Sequence, residues 1–77
     1  MMIQVKMFAE FRQYAPAGQK EFRLELKPGA TAGQTVSRLG LPPDLPQVVL
    51  INGRREKPDT VLKEGDMLTL FPLMEGG

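Results

Sequence analysis

Apolar and polar residues alternate at the start of the chain, where Ile3, Val5 and Met7 are separated by Gln4 and Lys6. A period of two puts every second side chain on one side of an extended backbone, which predicts a half-buried strand from Met2 to about Phe8. The spacing then changes. Phe8, Phe11 and the pair Tyr14-Ala15 stand three to four residues apart, predicting a short helical segment that Pro16 and Gly18 break. Alternation returns at Phe22, Leu24 and Leu26, so a second strand from about Glu21 to Leu26 is expected to pair antiparallel with the first.

Lys27-Pro28-Gly29 reads as a turn, and the four residues from Thr31 to Gln34 match a capping box, in which hydroxyl and amide each satisfy an orphan backbone donor. A helix from about Ala32 to Leu39 follows, stopped by Gly40. Gly33 weakens it by up to about 1 kcal/mol relative to alanine, so packing of Val36 and Leu39 on a sheet must hold it. Pro42, Pro43 and Pro46 make the next stretch a loop. The β-branched run from Val48 to Ile51 suits a central strand covered on both faces. Asn52-Gly53 behind it is a strong hairpin signal, because both residues accept positive φ. Arg54 to Lys57 would form the return arm, Thr60 to Leu62 a single helical turn, and Lys63 to Asp66 a tight turn. The last strand is expected from Met67 to Phe71, with Met67, Thr69 and Phe71 on one face.

The order β-β-α-β-β-β, without repeats or linkers, describes one domain over residues 1–71 and a flexible tail over 72–77. A chain of 77 residues has a marginal but sufficient core. It has no cysteine and no histidine. Disulfides, thiolate metal sites, thiol nucleophiles and the commonest general base are thereby excluded, and no metal site is expected. Ten basic against nine acidic side chains give a net charge of +1, far from the balance of a nucleic-acid footprint. The first residues carry neither a signal peptide nor a membrane-spanning run. The expectation is a cytoplasmic domain with no nucleic-acid or membrane partner. The five methionines lack any periodic arrangement and read as adaptable packing.

Candidate chemistry gathers at the end of the sequence, where Leu70-Phe71-Pro72-Leu73-Met74-Glu75 leads into Gly76-Gly77. One reading is a frayed tail. The other is a presented α-carboxylate. Without Cβ atoms, Gly76 and Gly77 can thread a narrow channel, and from Phe71 onward the chain can reach about 20 Å. Pro72 would direct the exit or merely end the strand, and Leu73 and Met74 would anchor a partner. A carboxylate at Glu75 needs a basic partner or a solvated path. Arg54, Arg55 and Lys57 read as a solvated return arm, with steering of an acidic partner as the alternative. Phe8, Phe11 and Tyr14 read as core, with an interaction face at the sheet edge as the alternative.

Taken together, the run Leu50-Ile-Asn-Gly53, the stretch Asp59-Thr-Val-Leu-Lys-Glu-Gly-Asp-Met-Leu-Thr-Leu-Phe-Pro72, the Gly76-Gly77 ending and the opening Val5-Lys-Met-Phe-Ala-Glu-Phe-Arg12 resemble the sulfur-carrier family. This family includes the molybdopterin synthase small subunit and the thiamin-pathway carrier. The resemblance implies an α+β, ubiquitin-like β-grasp, with a mixed sheet of four to five strands and one main helix across it. It implies a carrier that is not itself an enzyme, although it counts as the small subunit of a synthase complex. Gly77, preceded by Gly76, would be adenylated by a ubiquitin-activating-type adenylyltransferase using ATP and magnesium. With a sulfur donor it would become a thiocarboxylate, and pass its sulfur to an enzyme such as a molybdopterin synthase large subunit. Phe71, Pro72, Leu73, Met74 and Glu75 would meet these partners, and no cofactor would stay bound. Leu73 stands where the molybdopterin branch often has a second proline, and Glu75 where many relatives carry a small residue. Sulfur delivery to thiamin or tRNA, conjugation to other proteins through Gly77, and a non-reactive β-grasp module remain the alternatives.

Overall fold

The computed structural model describes residues 1–42 and 44–73. Ile3, Val5 and Met7 are completely buried, and the strand that carries them, β1, runs Met2–Met7. It pairs antiparallel with β2, Glu21–Glu25, with Val5 opposite Phe22. The near-helical spacing between them forms 3-10 turns, Ala9–Tyr14 and Pro16–Gly18. The chain enters the first through Ala9 at φ 53°, and Phe11 drops into the core at 1% exposure. Phe8, Phe11 and Tyr14 therefore do not share a face. Phe11 and Tyr14 meet edge-to-face, while Phe8 lies against Phe71 instead.

The helix α1, Ala32–Arg38, begins as its sequence dictates. The Gln34 amide donates to Thr31 Oγ1 at 3.1 Å, and the Thr31 amide donates to Gln34 Oε1 at 3.0 Å. Ala32 and Val36 join the core, and Leu39 packs against it half-buried. The buried hydroxyl of Thr35 is satisfied by donating to Thr31 O at 2.9 Å. Gly33 is more than a weak point in this helix. Its amide donates to Pro58 O at 2.8 Å, and a Cβ there would stand 3.1 Å from that oxygen and 3.2 Å from Pro58 Cβ. The segment after β4 crosses the helix at this point, so close that a Cβ would have to push it back by a few tenths of an ångström.

Strand β3, Gln47–Ile51, turns at Asn52 (φ 53°) and Gly53 (φ 83°) into β4, Arg54–Arg55. The hairpin is the expected one, but its return arm is two residues long. Strand β5, Met67–Pro72, completes a five-stranded sheet in the order β2-β1-β5-β3-β4. Two expectations change here. The central strand is β5, parallel to β1 and antiparallel to β3, whereas β3 lies between β5 and short β4. Thr60 to Leu62 form no helical turn: Val61 bridges Thr31, Ala32 donates to Thr60 O at 3.0 Å, and Leu62 donates to Ala30 O at 2.9 Å. Two β-branched residues beside unpaired backbone favour this extended pairing over a helix.

One layer of sheet and one helix enclose a single core. Leu68 and Leu70 of β5, Val49 and Ile51 of β3 and the odd positions of β1 face α1. The fold is an α+β arrangement with a mixed sheet, and among the described residues no helix is long and apolar enough to cross a membrane.

Candidate functional site

The chain leaves the sheet from its central strand. Because Leu68 and Leu70 are buried, the alternate residues Met67, Thr69 and Phe71 must face away from the helix, and all three are half-buried there. Their ladder neighbours extend this outer face. Thr69 lies between Lys6 and Leu50, and Phe71 is opposite Val48. Phe8 reaches the same surface, its ring 6.2 Å from that of Phe71 at an interplanar angle of 88°, a T-shaped geometry that complements ring edge with ring face. Lys20 Nζ caps the outer side of Phe8 at 4.9 Å from the ring centroid. The result is an apolar strip rimmed by charge at the base of the tail.

Pro72, expected as the first tail residue, is the last residue of β5 and is opposite Gln47. Without an amide proton it cannot donate to the ladder. The next amide does so, from Leu73 to Pro46 O at 3.3 Å, so the loop before β3 sets where the chain departs. Leu73 is 48% exposed. Beside it Glu10, Tyr14, Pro46 and Pro72 line a groove of about 220 Å³. Of the predicted site residues, Phe71, Pro72 and Leu73 are thus brought together. Met74, Glu75, Gly76 and Gly77 lie outside the described residues.

A second set of contacts anchors β5 from its other end. Asn52 Nδ2 donates to Asp66 Oδ1 at 2.9 Å, the Met67 amide donates to Asn52 Oδ1 at 3.0 Å, and the Asn52 amide donates to Met67 O at 2.9 Å. The other Asp66 oxygen accepts the Lys63 amide at 2.8 Å. The hairpin turn and the turn before β5 therefore form one unit, held together by the two motifs that stand out in the sequence.

Phe8, read as core with an interaction face as the alternative, belongs to the outer face, as do Val48 and Leu50, which were read only as part of a covered strand. Parity would have found them. Phe8 continues the outward set Gln4 and Lys6, whereas the helical spacing to Phe11 points the other way. Among the described residues no group of three or more acidic, histidine or cysteine side chains is placed to hold a metal ion.

Comparison with known proteins agrees with this geometry. No curated protein matches the sequence. Among solved structures, SAMP1 of Haloferax volcanii, a small archaeal modifier protein, superposes with a TM-score of 0.78 at 26% identity, covering 100% of both chains. A protein assigned as molybdopterin converting factor, subunit 1, from Pyrococcus furiosus superposes with a TM-score of 0.77 at 30% identity, covering 95% of this chain and 98% of that one. A ubiquitin of Caldiarchaeum subterraneum gives a TM-score of 0.60 at 26% identity, over 100% of this chain and 98% of its own. The fold is therefore a ubiquitin-like β-grasp, as the resemblance implied. The sequence profile of the ThiS family matches residues 5–77, from β1 through the final Gly-Gly, and the chain belongs to that family.

Proposed function

We propose that this chain is a sulfur-carrying protein cosubstrate whose Gly77 carboxylate is the reacting group. The observation that carries the reading is the family match continuing through Gly76 and Gly77, on a chain with no cysteine or histidine to do chemistry elsewhere. A carboxylate is ionised at neutral pH and is a poor electrophile. In a ubiquitin-activating-type partner its oxygen attacks the α-phosphorus of ATP and expels pyrophosphate, with magnesium supplied at the partner's site. A persulfide's terminal sulfur then displaces AMP from the acyl carbon, giving an acyl disulfide, and a second thiol attacks the donor's sulfur, releasing the thiocarboxylate and leaving a disulfide between donor and thiol. The body docks through the strip around Phe71, and the glycines extend the carboxylate into the partner.

The destination we favour is biosynthesis of the molybdenum or tungsten pterin cofactor, with delivery to a molybdopterin synthase large subunit. The 30% likeness to a molybdopterin converting factor subunit 1 supports this choice over thiamin or tRNA thiolation. In this role the chain supplies sulfur and none of the acid–base groups. The likeness to a small archaeal modifier protein supports a second fate, conjugation of activated Gly77 to a lysine of another protein. Adenylation is common to both.

Incubation with ATP, magnesium, the host's activating enzyme, a persulfide donor and a thiol reductant removed before labelling should yield a thiol-selective gel shift. Without cysteine in the chain, any such thiol must come from the terminus. No shift with the cognate enzyme present would defeat the carrier reading. Recovery of isopeptide conjugates at Gly77 would establish the second fate.

A further inference from the structure

A second groove lies on the helix side of the sheet. It occupies about 520 Å³ between α1 and the β3–β4 edge. Val36 and Val49 give it apolar walls, and Gln47, Arg55 and Lys57 line it as well. Three features define what fits there. First, Arg55 and Lys57 outnumber Glu56, the one acidic lining residue, which already accepts a 3.5 Å bond from Thr60 Oγ1. Exposed Arg54 adds a third cation nearby. Second, β4 pairs only with Leu50 and Ile51, and Glu56 donates to Val49 O at 3.2 Å. The outer edge of β3 ahead of Val49 therefore has no strand beside it among the described residues, and such an edge is a template for pairing. Third, Gln47 donates through Nε2 to Leu45 O at 3.3 Å, while its shielded Oε1 has no donor among the described residues. A buried acceptor left in that state is costly until a donor reaches it.

We propose that this groove binds an extended peptide segment of a partner protein, in which an apolar residue is followed by carboxylates. The segment lies along β3 ahead of Val49, as strand addition uses main-chain hydrogen bonds for affinity and side-chain pockets for specificity. Its apolar side chain enters between Val36 and Val49, and its carboxylates meet Arg55 and Lys57. Charge complementarity chooses an acidic partner over a basic one. The open strand edge chooses a peptide over a free anion. The groove would thus give the carrier a second point of attachment, independent of the terminal chemistry.

The test uses the full chain and a fluorescein-labelled peptide of alternating valine and threonine ending in three aspartates. Binding should be read by anisotropy, with amide shift changes at Gln47, Val49 and Ser37. The charge reversals Arg55→Glu and Lys57→Glu should each weaken it by about tenfold. Ser37→Trp, at an exposed helix position lining the groove, should block it while leaving the protein folded by circular dichroism. N-methylation of alternate peptide amides should also weaken it. Deletion of Gly77 should leave it unchanged, which separates this result from the fate of the carrier reading. Absence of binding at millimolar peptide, shifts confined to the face around Phe71, or equal binding of a purely aspartate peptide or of inorganic phosphate would overturn the proposal.

Discussion

Asn52 and Asp66, fourteen residues apart, are joined by a 2.9 Å hydrogen bond that fastens the β3–β4 turn to the turn before β5. Asn52 serves two purposes at once. Its φ of 53° suits the hairpin, and its side-chain oxygen receives the first amide of β5. Asn52→Gly keeps the turn conformation and removes the side chain. We expect a loss of about 1–2 kcal/mol, read from urea unfolding with an unchanged slope. Asp66→Ala should cost a similar amount. The double variant should be less destabilised than the sum, with a coupling of about 0.5–1 kcal/mol. Strict additivity would mean that the bond contributes nothing.

Gly33→Ala reverses the usual helix rule. An exposed glycine-to-alanine exchange normally gains up to about 1 kcal/mol. Here the new Cβ meets backbone of Pro58 that cannot rotate away and that holds the Gly33 amide. The expected outcome is a fall in melting temperature of about 4–8 °C, corresponding to about 1 kcal/mol at this chain length.

The converse holds at Ala9, where a φ of 53° burdens a residue with a Cβ. Ala9→Gly should raise stability by about 0.5–1 kcal/mol in the same melting experiment. A decrease would show that the entropy of the unfolded glycine outweighs relief of the strain.

Phe71→Ala separates docking from folding. The aromatic pair with Phe8 contributes about 0.5–1.5 kcal/mol, so the variant should remain folded. At the centre of a partner interface the same ring would act as an anchor worth about 2 kcal/mol or more. Calorimetric binding to the activating enzyme should therefore weaken by more than about tenfold. Unchanged binding would place the docking surface elsewhere.

Extension of the chain by one alanine after Gly77 should abolish thiocarboxylate formation and leave the unfolding curve untouched. The reacting carboxylate would be displaced by about 3.3 Å, far beyond the tolerance of an aligned displacement. Residual product at a normal rate would indicate that Gly77 is not the required terminus.

Local signals were legible and spatial ones were not. The alternation in β1 and β2, the Thr31-Gln34 cap and the Asn52-Gly53 turn depend on neighbours in sequence, and each appears where its residues predict it. The pairing of β5 between β1 and β3 depends on contacts across the whole chain, and no short pattern encodes it. The run from Val48 to Ile51 looked more central than it is because both of its faces are covered: Val49 and Ile51 by the core, Val48 at the outer face opposite Phe71. Val61 was misjudged for the opposite reason, since its partner Thr31 is remote in sequence. At the tail, Phe71 and Pro72 end β5 and Leu73 follows them, as their place in the sequence orders them. Phe8 follows from parity with Gln4 and Lys6, whereas the bond from Leu73 to Pro46 exists only once the sheet has assembled.

The central place of β5 also bears on the chain's birth. The strand that joins β1 to β3 is made after both of them, so during synthesis the inner edges of β1 and β3 wait without a mate until Met67–Pro72 emerges. The sheet closes with the same residues that lead directly into the glycines. A prematurely ended chain therefore lacks both the closing strand and the terminus that follows it. Closure of the sheet is thereby tied to one of the last stretches of the chain to be made.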